Sequence, residues 1–383
     1  MEENKYTLVN GFLRICDGVK KIPPASFKER SDIIEVFFPE SMRTIGKYAF
    51  CACINLTHVE TNANLKVIEQ GAFQNCFKLL SSPIPKKVEY IGKSAFNCCY
   101  RIENPIVIPR NIRKLEDSIF FNCKEIPSID LPSKLKKIGK LAFFGCSNVS
   151  SFTIPETVTE IGMFSFCHCT RIREIIIPEN VEYIGESSFS SCTNLQRITI
   201  PPKVELVEKA CFMNCEKLEE VIFSGIIRKI RSSAFTGCKM LKRIILPDGL
   251  LKISNYAFSW CIMLKEITFP QSLQQISGYA FSNCRNLETV NFPADHLCEL
   301  HKFSFYQCQK LDVPKRIVEK LYGELTSKEK IFEQPHCGIS GEEFLEKMPI
   351  ILLKCGHFFK KDSLLEWVKI RNICPLCREN LGF

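Results

Sequence analysis

The chain has 383 residues, 45% hydrophobic and 24% charged, with a formal net charge of +9 and an unusual 30 Phe and 22 Cys. That length exceeds one ordinary core and that composition excludes a disordered chain, so two domains or a repeat array are expected. No run of about 18 apolar residues occurs, and the polar, acidic start is not a secretory leader. A soluble, cytoplasmic protein without a membrane partner is therefore predicted, its cysteines serving as buried thiols and metal ligands rather than a disulfide scaffold. Residues 334–383 hold seven Lys and Arg against six Asp and Glu, so the positive excess is spread along the rest of the chain. Such dispersal argues against a nucleic-acid partner.

In chain order, residues 1–18 read as an N-terminal cap and residues 19–312 as copies of one unit. Val19 to Pro39 is a degenerate first copy, with Phe27 in register and Arg30 where later copies have cysteine. From Phe50 to Phe305 a phenylalanine returns every 23 residues, with two intervals of 24. An aliphatic residue stands five positions before each one (Ile45 to Leu300), and a cysteine three positions after (Cys53 to Cys308). A further aliphatic follows at the sixth position, then a short alternating run closed by proline, as in Ile198-Thr199-Ile200-Pro201. That run reads as one strand per repeat with a period of two, ended by a residue that cannot donate to a ladder.

A fixed period in the twenties with one strand per unit predicts a solenoid, each turn burying its apolar side by stacking on its neighbours. The pattern I-G-x-x-A-F-x-x-C-x-x-L, as in Ile91-Gly92-Lys93-Ser94-Ala95-Phe96-Asn97-Cys98-Cys99, resembles the BspA-like leucine-rich repeats over about 290 residues. Twelve of the 22 cysteines fall on a single column, which makes them core rather than ligands. Cys167-His168-Cys169 takes the same reading, because Cys169 belongs to the column.

No catalytic constellation appears in the repeats, so their contribution is surface. The outward strand positions are placed at Glu174/Ile176, Arg197/Thr199, Glu220/Ile222, Arg243/Ile245, Glu266/Thr268 and Thr289/Asn291. They would form one face of alternating charge, of the kind that binds a protein target.

After Cys308 the period fails. Pro314 to Tyr322 is predicted to be a short helix capping the solenoid, and the polar stretch that follows completes a cap-and-linker segment over 313–333.

The remaining residues, 334–383, contain Cys355-Gly356-His357 and, sixteen residues on, Cys374-Pro375-Leu376-Cys377. Three thiolates and one imidazole make a complete tetrahedral set for one structural zinc, and a domain this small needs such a staple. Cys-Gly-Ile-Ser at 337–340, Pro349 to His357, Trp367 and Ile373 to Arg378 resemble the RING family, predicting a small α+β zinc domain. Of the family's two zinc sites, the second corresponds to Cys355, His357, Cys374 and Cys377. At the first site Cys337 remains but Ser340, Lys360 and Ser363 replace the other ligands, and Lys cannot coordinate zinc. This loss is similar to the U-box and to one-zinc SUMO ligases. A polar network of Lys360, Ser363 and Ser340 with Glu342 or Glu343 is expected in place of the first metal.

The resemblance implies a ubiquitin ligase that recruits a ubiquitin-conjugating enzyme and ubiquitin. Ile339, Trp367 and Pro375 match the family's contact with the conjugating enzyme, and Arg378 its linchpin, with no nucleophile of the ligase's own. Two other readings stand beside it: a non-enzymatic interaction or surface-antigen-like protein with a structural zinc module, and a SUMO ligase.

Overall fold

The computed structural model describes residues 5–293, 298–301, 303–311, 350–352, 358–360, 363, 364 and 367. Its main body is a β-solenoid in which each repeat makes one coil. The aliphatic five positions before each Phe lies in a two-residue strand, and these strands pair in parallel and in register, Ile22 beside Ile45, Ile68 and then Ile91. The same column runs on from Leu115 through Ile138 and Ile161 to Ile184. It resumes from Val207 to Leu300.

The strand expected before the proline forms a second parallel stack in several coils, whereas residues 241–247, which carry Arg243 and Ile245, form no strand. Arg197–Ile200 pairs with Glu220–Phe223, and Glu266–Thr268 with Thr289–Asn291. Arg197–Ile200 alternates exposed and buried along its length, as a half-buried strand must. Each coil therefore adds a second, two-residue strand to the one read from the alternation.

Between the two strands the chain turns tightly around the phenylalanine. Residues two before and two after it adopt left-handed backbone, as at Leu141 (φ 57°) and Gly145 (φ 70°). The turn pulls every ring inward, and the rings stack from coil to coil. Their centroids lie between 5.1 Å (Phe258 to Phe281) and 6.2 Å (Phe120 to Phe143) apart. Phe143 and Phe166 are tilted by 32°, because Phe152 packs 4.9 Å from both in a position where other coils carry a slimmer aliphatic.

The cysteine column explains itself in this frame. Each of the twelve thiols donates to the carbonyl of the Phe one coil back, from Cys53 to Phe27 O at 3.0 Å to Cys308 to Phe281 O at 3.0 Å. The backbone N–H of the cysteine in the same coil reaches that carbonyl too, as Cys192 N does to Phe189 O at 3.2 Å. The position requires a side chain small and apolar enough for a dry turn yet able to donate, which a thiol is.

Close stacking also sets the glycines. A Cβ on Gly185 would fall 2.5 Å from the Met163 backbone nitrogen, closer than any side chain tolerates.

At the N-terminal end, Tyr6–Val9 and Phe12–Ile15 form an antiparallel hairpin. Its second strand pairs in parallel with Glu35–Phe37, so the hairpin finishes one edge of that sheet. In the tail, Ile350–Leu352 and Phe358–Lys360 make an antiparallel pair with Ile351 opposite Phe359. Phe359 and Leu364 are buried there. The capping helix and linker read at 313–333 lie outside the described residues. Among the described residues no helix is long and apolar enough to cross a membrane.

Candidate functional site

The second strand stack positions the first candidate region. Its inward residues Ile175, Ile198, Val221, Ile244, Ile267 and Val290 are buried in the common core. Every outward residue picked from the alternation is exposed: Glu174, Arg197, Glu220, Arg243, Glu266 and Thr289 in one row, Ile176, Thr199, Ile222, Ile245, Thr268 and Asn291 in the next. Parallel register sets Glu174 beside Arg197, Arg197 beside Glu220 and Thr199 beside Ile222. One row thus alternates in charge from coil to coil, and the neighbouring row holds Ile176, Ile222 and Ile245 at 73%, 47% and 79% exposure.

At several places on the surface oppositely charged side chains one coil apart close into ion pairs, as Lys66 does with Glu89 (2.9 Å), Lys239 with Glu216 (2.8 Å) and Lys242 with Glu219 (3.2 Å). Arg197 and Glu220 are register partners, yet neither they nor Glu174, Arg243 or Glu266 take part in any of the ion pairs among the described residues. Their charge stays directed at solvent.

A shallow groove of about 450 Å³ runs along this row, lined by Gln196, Arg197, Glu219, Glu220, Lys242 and Arg243. Gln196, Glu219 and Lys242 escaped the sequence reading. Gln196 and Glu219 stand just before strands and Lys242 at the same place in the next coil, where the period of two does not yet apply, and their only signal was polarity.

The solenoid cysteines are poor metal donors. Burial pushes Cys53 up to about 12 and Cys167 up to about 11, so the thiolate a metal needs is disfavoured. Within Cys167-His168-Cys169, the Cys169 thiol is spent on the Phe143 carbonyl at 3.2 Å, and the His168 ring packs edge-on to Phe144 at 5.3 Å. Among the described residues no cluster of three or more His, Cys, Asp or Glu could hold a metal.

The tail is the second candidate region. Its hairpin joins Leu352 to Phe358, and the five-residue connection between them carries Cys355 and His357 in the sequence. Lys360 ends the second strand, Ser363 is helical, and Trp367 is helical and half-buried. The predicted zinc donors Cys355, His357, Cys374 and Cys377 lie outside the described residues. So do Ile339, Pro375 and Arg378, together with Cys337, Ser340, Glu342 and Glu343. The donor set itself, three thiols and one imidazole in a segment of about fifty residues, fits a tetrahedral structural zinc.

These features define a leucine-rich-repeat solenoid joined to a RING-type end. Residues 11–127, 114–242 and 228–315 match the BspA type leucine-rich repeat region in six copies, and the chain belongs to that family. Residues 335–378 match the Ring finger domain.

A leucine-rich repeat protein from Bacteroides ovatus has the same fold, with a TM-score of 0.65 at 23% identity over 85% of this chain and 95% of that one. A leucine rich cell surface protein from Faecalibacterium prausnitzii gives a TM-score of 0.52 at 25% identity, covering 77% and 95% of the two chains.

At the tail, the E3 ubiquitin-protein ligase MBR1 of Arabidopsis thaliana is 48% identical over 42 residues, 11% of this chain and 6% of that protein. The probable E3 ubiquitin-protein ligase RHC2A of the same plant is 40% identical over 48 residues, 12% of each chain. The chain thus spans about a tenth of the length of these curated relatives.

Proposed function

We propose that the protein is a RING-type ubiquitin-protein ligase whose solenoid holds a protein target while its C-terminal domain, residues 334–383, recruits a ubiquitin-conjugating enzyme loaded with ubiquitin. The observation that carries this reading is the complete set Cys355, His357, Cys374 and Cys377, followed at once by Arg378, inside the segment that matches the Ring finger domain. Relatives named as E3 ubiquitin-protein ligases, 40–48% identical over this segment, favour ubiquitin over the SUMO alternative.

In this reading the four ligands hold one zinc, which supplies structure and no chemistry of its own. Ile339, Trp367 and Pro375 form the apolar contact with the conjugating enzyme. Arg378 offers a planar fork of donors that bridges that enzyme and the donor ubiquitin, holding the thioester in a near-attack geometry. Lys360, Ser363 and Ser340, with Glu342 or Glu343, replace the first metal by polar contacts. A zinc content near one per chain agrees with this, and a content near two refutes it.

Residues 19–312 provide the target platform, with 1–18 as cap and 313–333 as link, and the face marked by Glu174, Arg197, Glu220, Arg243, Glu266 and Asn291 takes the target. Tethering raises the concentration of the loaded conjugating enzyme at that target, which is how a platform and a recruiter in one chain cooperate. The setting is the cytoplasm, where ubiquitin conjugation operates.

The test is discharge of ubiquitin from a panel of loaded conjugating enzymes by the intact chain and by its Ile339→Ala and Arg378→Ala forms. Acceleration by the intact chain, lost in both variants at unchanged zinc content, supports the ligase. A folded, metallated chain that accelerates no enzyme in the panel leaves the non-enzymatic interaction protein as the better account.

A further inference from the structure

The row of unpaired charges has a pattern that can be matched against itself. Over four adjacent coils it reads Glu174, Arg197, Glu220, Arg243, so that reversing its direction exchanges every acid for a base. We propose that this face is the docking site of a second copy of the same chain, laid face to face with its coils running in the opposite direction.

A two-fold axis in the plane of contact, parallel to the strands and midway between the Arg197 and Glu220 strands, sets Glu174 of one copy opposite Arg243 of the other, and Arg197 opposite Glu220. Each contact occurs twice, as an isologous interface requires.

The same operation treats the apolar row consistently. Ile176 meets Ile245 and Thr199 meets Ile222, so the most exposed aliphatics of the face cover one another. Moving outward, Ser151 meets Glu266 and Thr153 meets Thr268, then Ser128 meets Thr289 and Asp130 meets Asn291. Eight coils therefore pass in both rows without a like-charge encounter. In the flanking row Arg173 faces Lys242, whose ammonium is already neutralised by Glu219 at 3.2 Å.

Spacing selects a second copy over an extended peptide. Coils repeat at the strand separation, about 4.8 Å, whereas side chains on one side of an extended peptide repeat at about 6.7 Å and drift out of step within two coils. An identical sheet stays in step along its whole length. Stacked sheets lie about 10 Å apart. The groove of about 450 Å³ along the charged row gives the long Arg and Glu side chains of both copies room to interleave at that distance.

The largely apolar row beside the charged row pairs buried aliphatic contacts with matched charges across the interface. The pairing does not depend on the ligase reading. Where both hold, a protein target and the second copy contend for the same face.

Sedimentation velocity of the full-length chain over a range of concentrations tests the proposal, with Arg197→Glu, Glu220→Arg and the double exchange beside it. Each single reversal turns two attractive contacts into two repulsive ones and raises the dissociation constant of the dimer by about tenfold or more. The double exchange restores the match and brings the constant back to within about threefold of the parent, a rescue that a merely structural role for either residue would not produce. Both residues changed are exposed, and circular dichroism checks that each variant is folded. A chain that stays monomeric at every concentration overturns the proposal, as does a dimer indifferent to the single reversals or one that the double exchange fails to restore. No ubiquitin component enters the experiment, so its outcome is independent of ligase activity.

Discussion

Alkali should unfold this solenoid through its cysteine ladder. An unfolded cysteine titrates near 9. In the folded chain burial pushes Cys53 up to about 12 and drives Cys76, Cys99, Cys123, Cys169, Cys215 and Cys284 well above the ordinary value. Below pH 9 both states hold their protons and the ladder adds no pH dependence. Above it the unfolded chain releases protons that the folded chain keeps, so stability falls as pH rises towards the folded values. Each thiol then costs about 1.4 kcal/mol per pH unit. The eleven pushed far up together remove about 15 kcal/mol by pH 10, as much as the roughly 5–15 kcal/mol that holds an ordinary domain. Cooperative unfolding is expected between about pH 9 and pH 10, with loss of the far-ultraviolet circular dichroism coinciding with a jump in thiolate absorbance. Cys192→Ala should lower the pH dependence of stability by about one proton. A fold that persists to about pH 11, or thiolate absorbance that climbs gradually near pH 9 in a chain still folded, would refute the argument.

Phe189 is fully buried and stacked at 5.2 Å on Phe166 and 5.5 Å on Phe212, so Phe189→Ala should cost about 4–5 kcal/mol. The loss should concentrate hydrogen exchange in the coils on either side, and uniform exchange along the solenoid would contradict nearest-neighbour stacking. Phe305 is only partly buried, with its neighbour Phe281 at 5.3 Å, and Phe305→Ala should cost about 2 kcal/mol by denaturant titration. The Ser165 hydroxyl is buried without a hydrogen-bond partner on a column that elsewhere holds Ala72, Ala95 and Ala142, so Ser165→Ala should stabilise by about 1 kcal/mol. A chelator should abolish ubiquitin discharge and leave the melting of the solenoid unchanged, because no metal cluster occurs among its described residues. A shift in the main melting transition would count against that separation.

The Phe and Cys columns were legible in the sequence because each coil repeats them at one spacing and each buries them in the same turn. The two-residue strands, such as Lys137–Ile138, were not, since two residues cannot display an alternation. The left-handed turns were hidden as well. Gly71, Gly145 and Gly237 announce them, but Tyr48, Leu141 and Trp260 adopt the same backbone without any such marker. The outward strand rows followed from the period of two, whereas Gln196, Glu219 and Lys242 had to be seen in place beside the groove. That Arg197 and Glu220 stand side by side without closing an ion pair could not be read from residue spacing. In the tail the spacing of Cys355, His357, Cys374 and Cys377 suggested a zinc set and Trp367 an aromatic contact, and the four donors lie outside the described residues.

The alternation of charge along the strand face also gives the repeat number a parity. Gaining or losing one 23-residue unit leaves every core column in register, since a coil is replaced by its equivalent. On the face, however, a unit lost from among the four coils breaks the match: without the Arg197 coil the row reads Glu174, Glu220, Arg243, and the two-fold sets Glu220 against its own copy. Loss of an adjacent acid and base together restores the order. The chain is therefore free to vary in length by any whole coil as far as folding is concerned, but within the Glu174 to Arg243 rows only by an acid and a base together if the match is to survive.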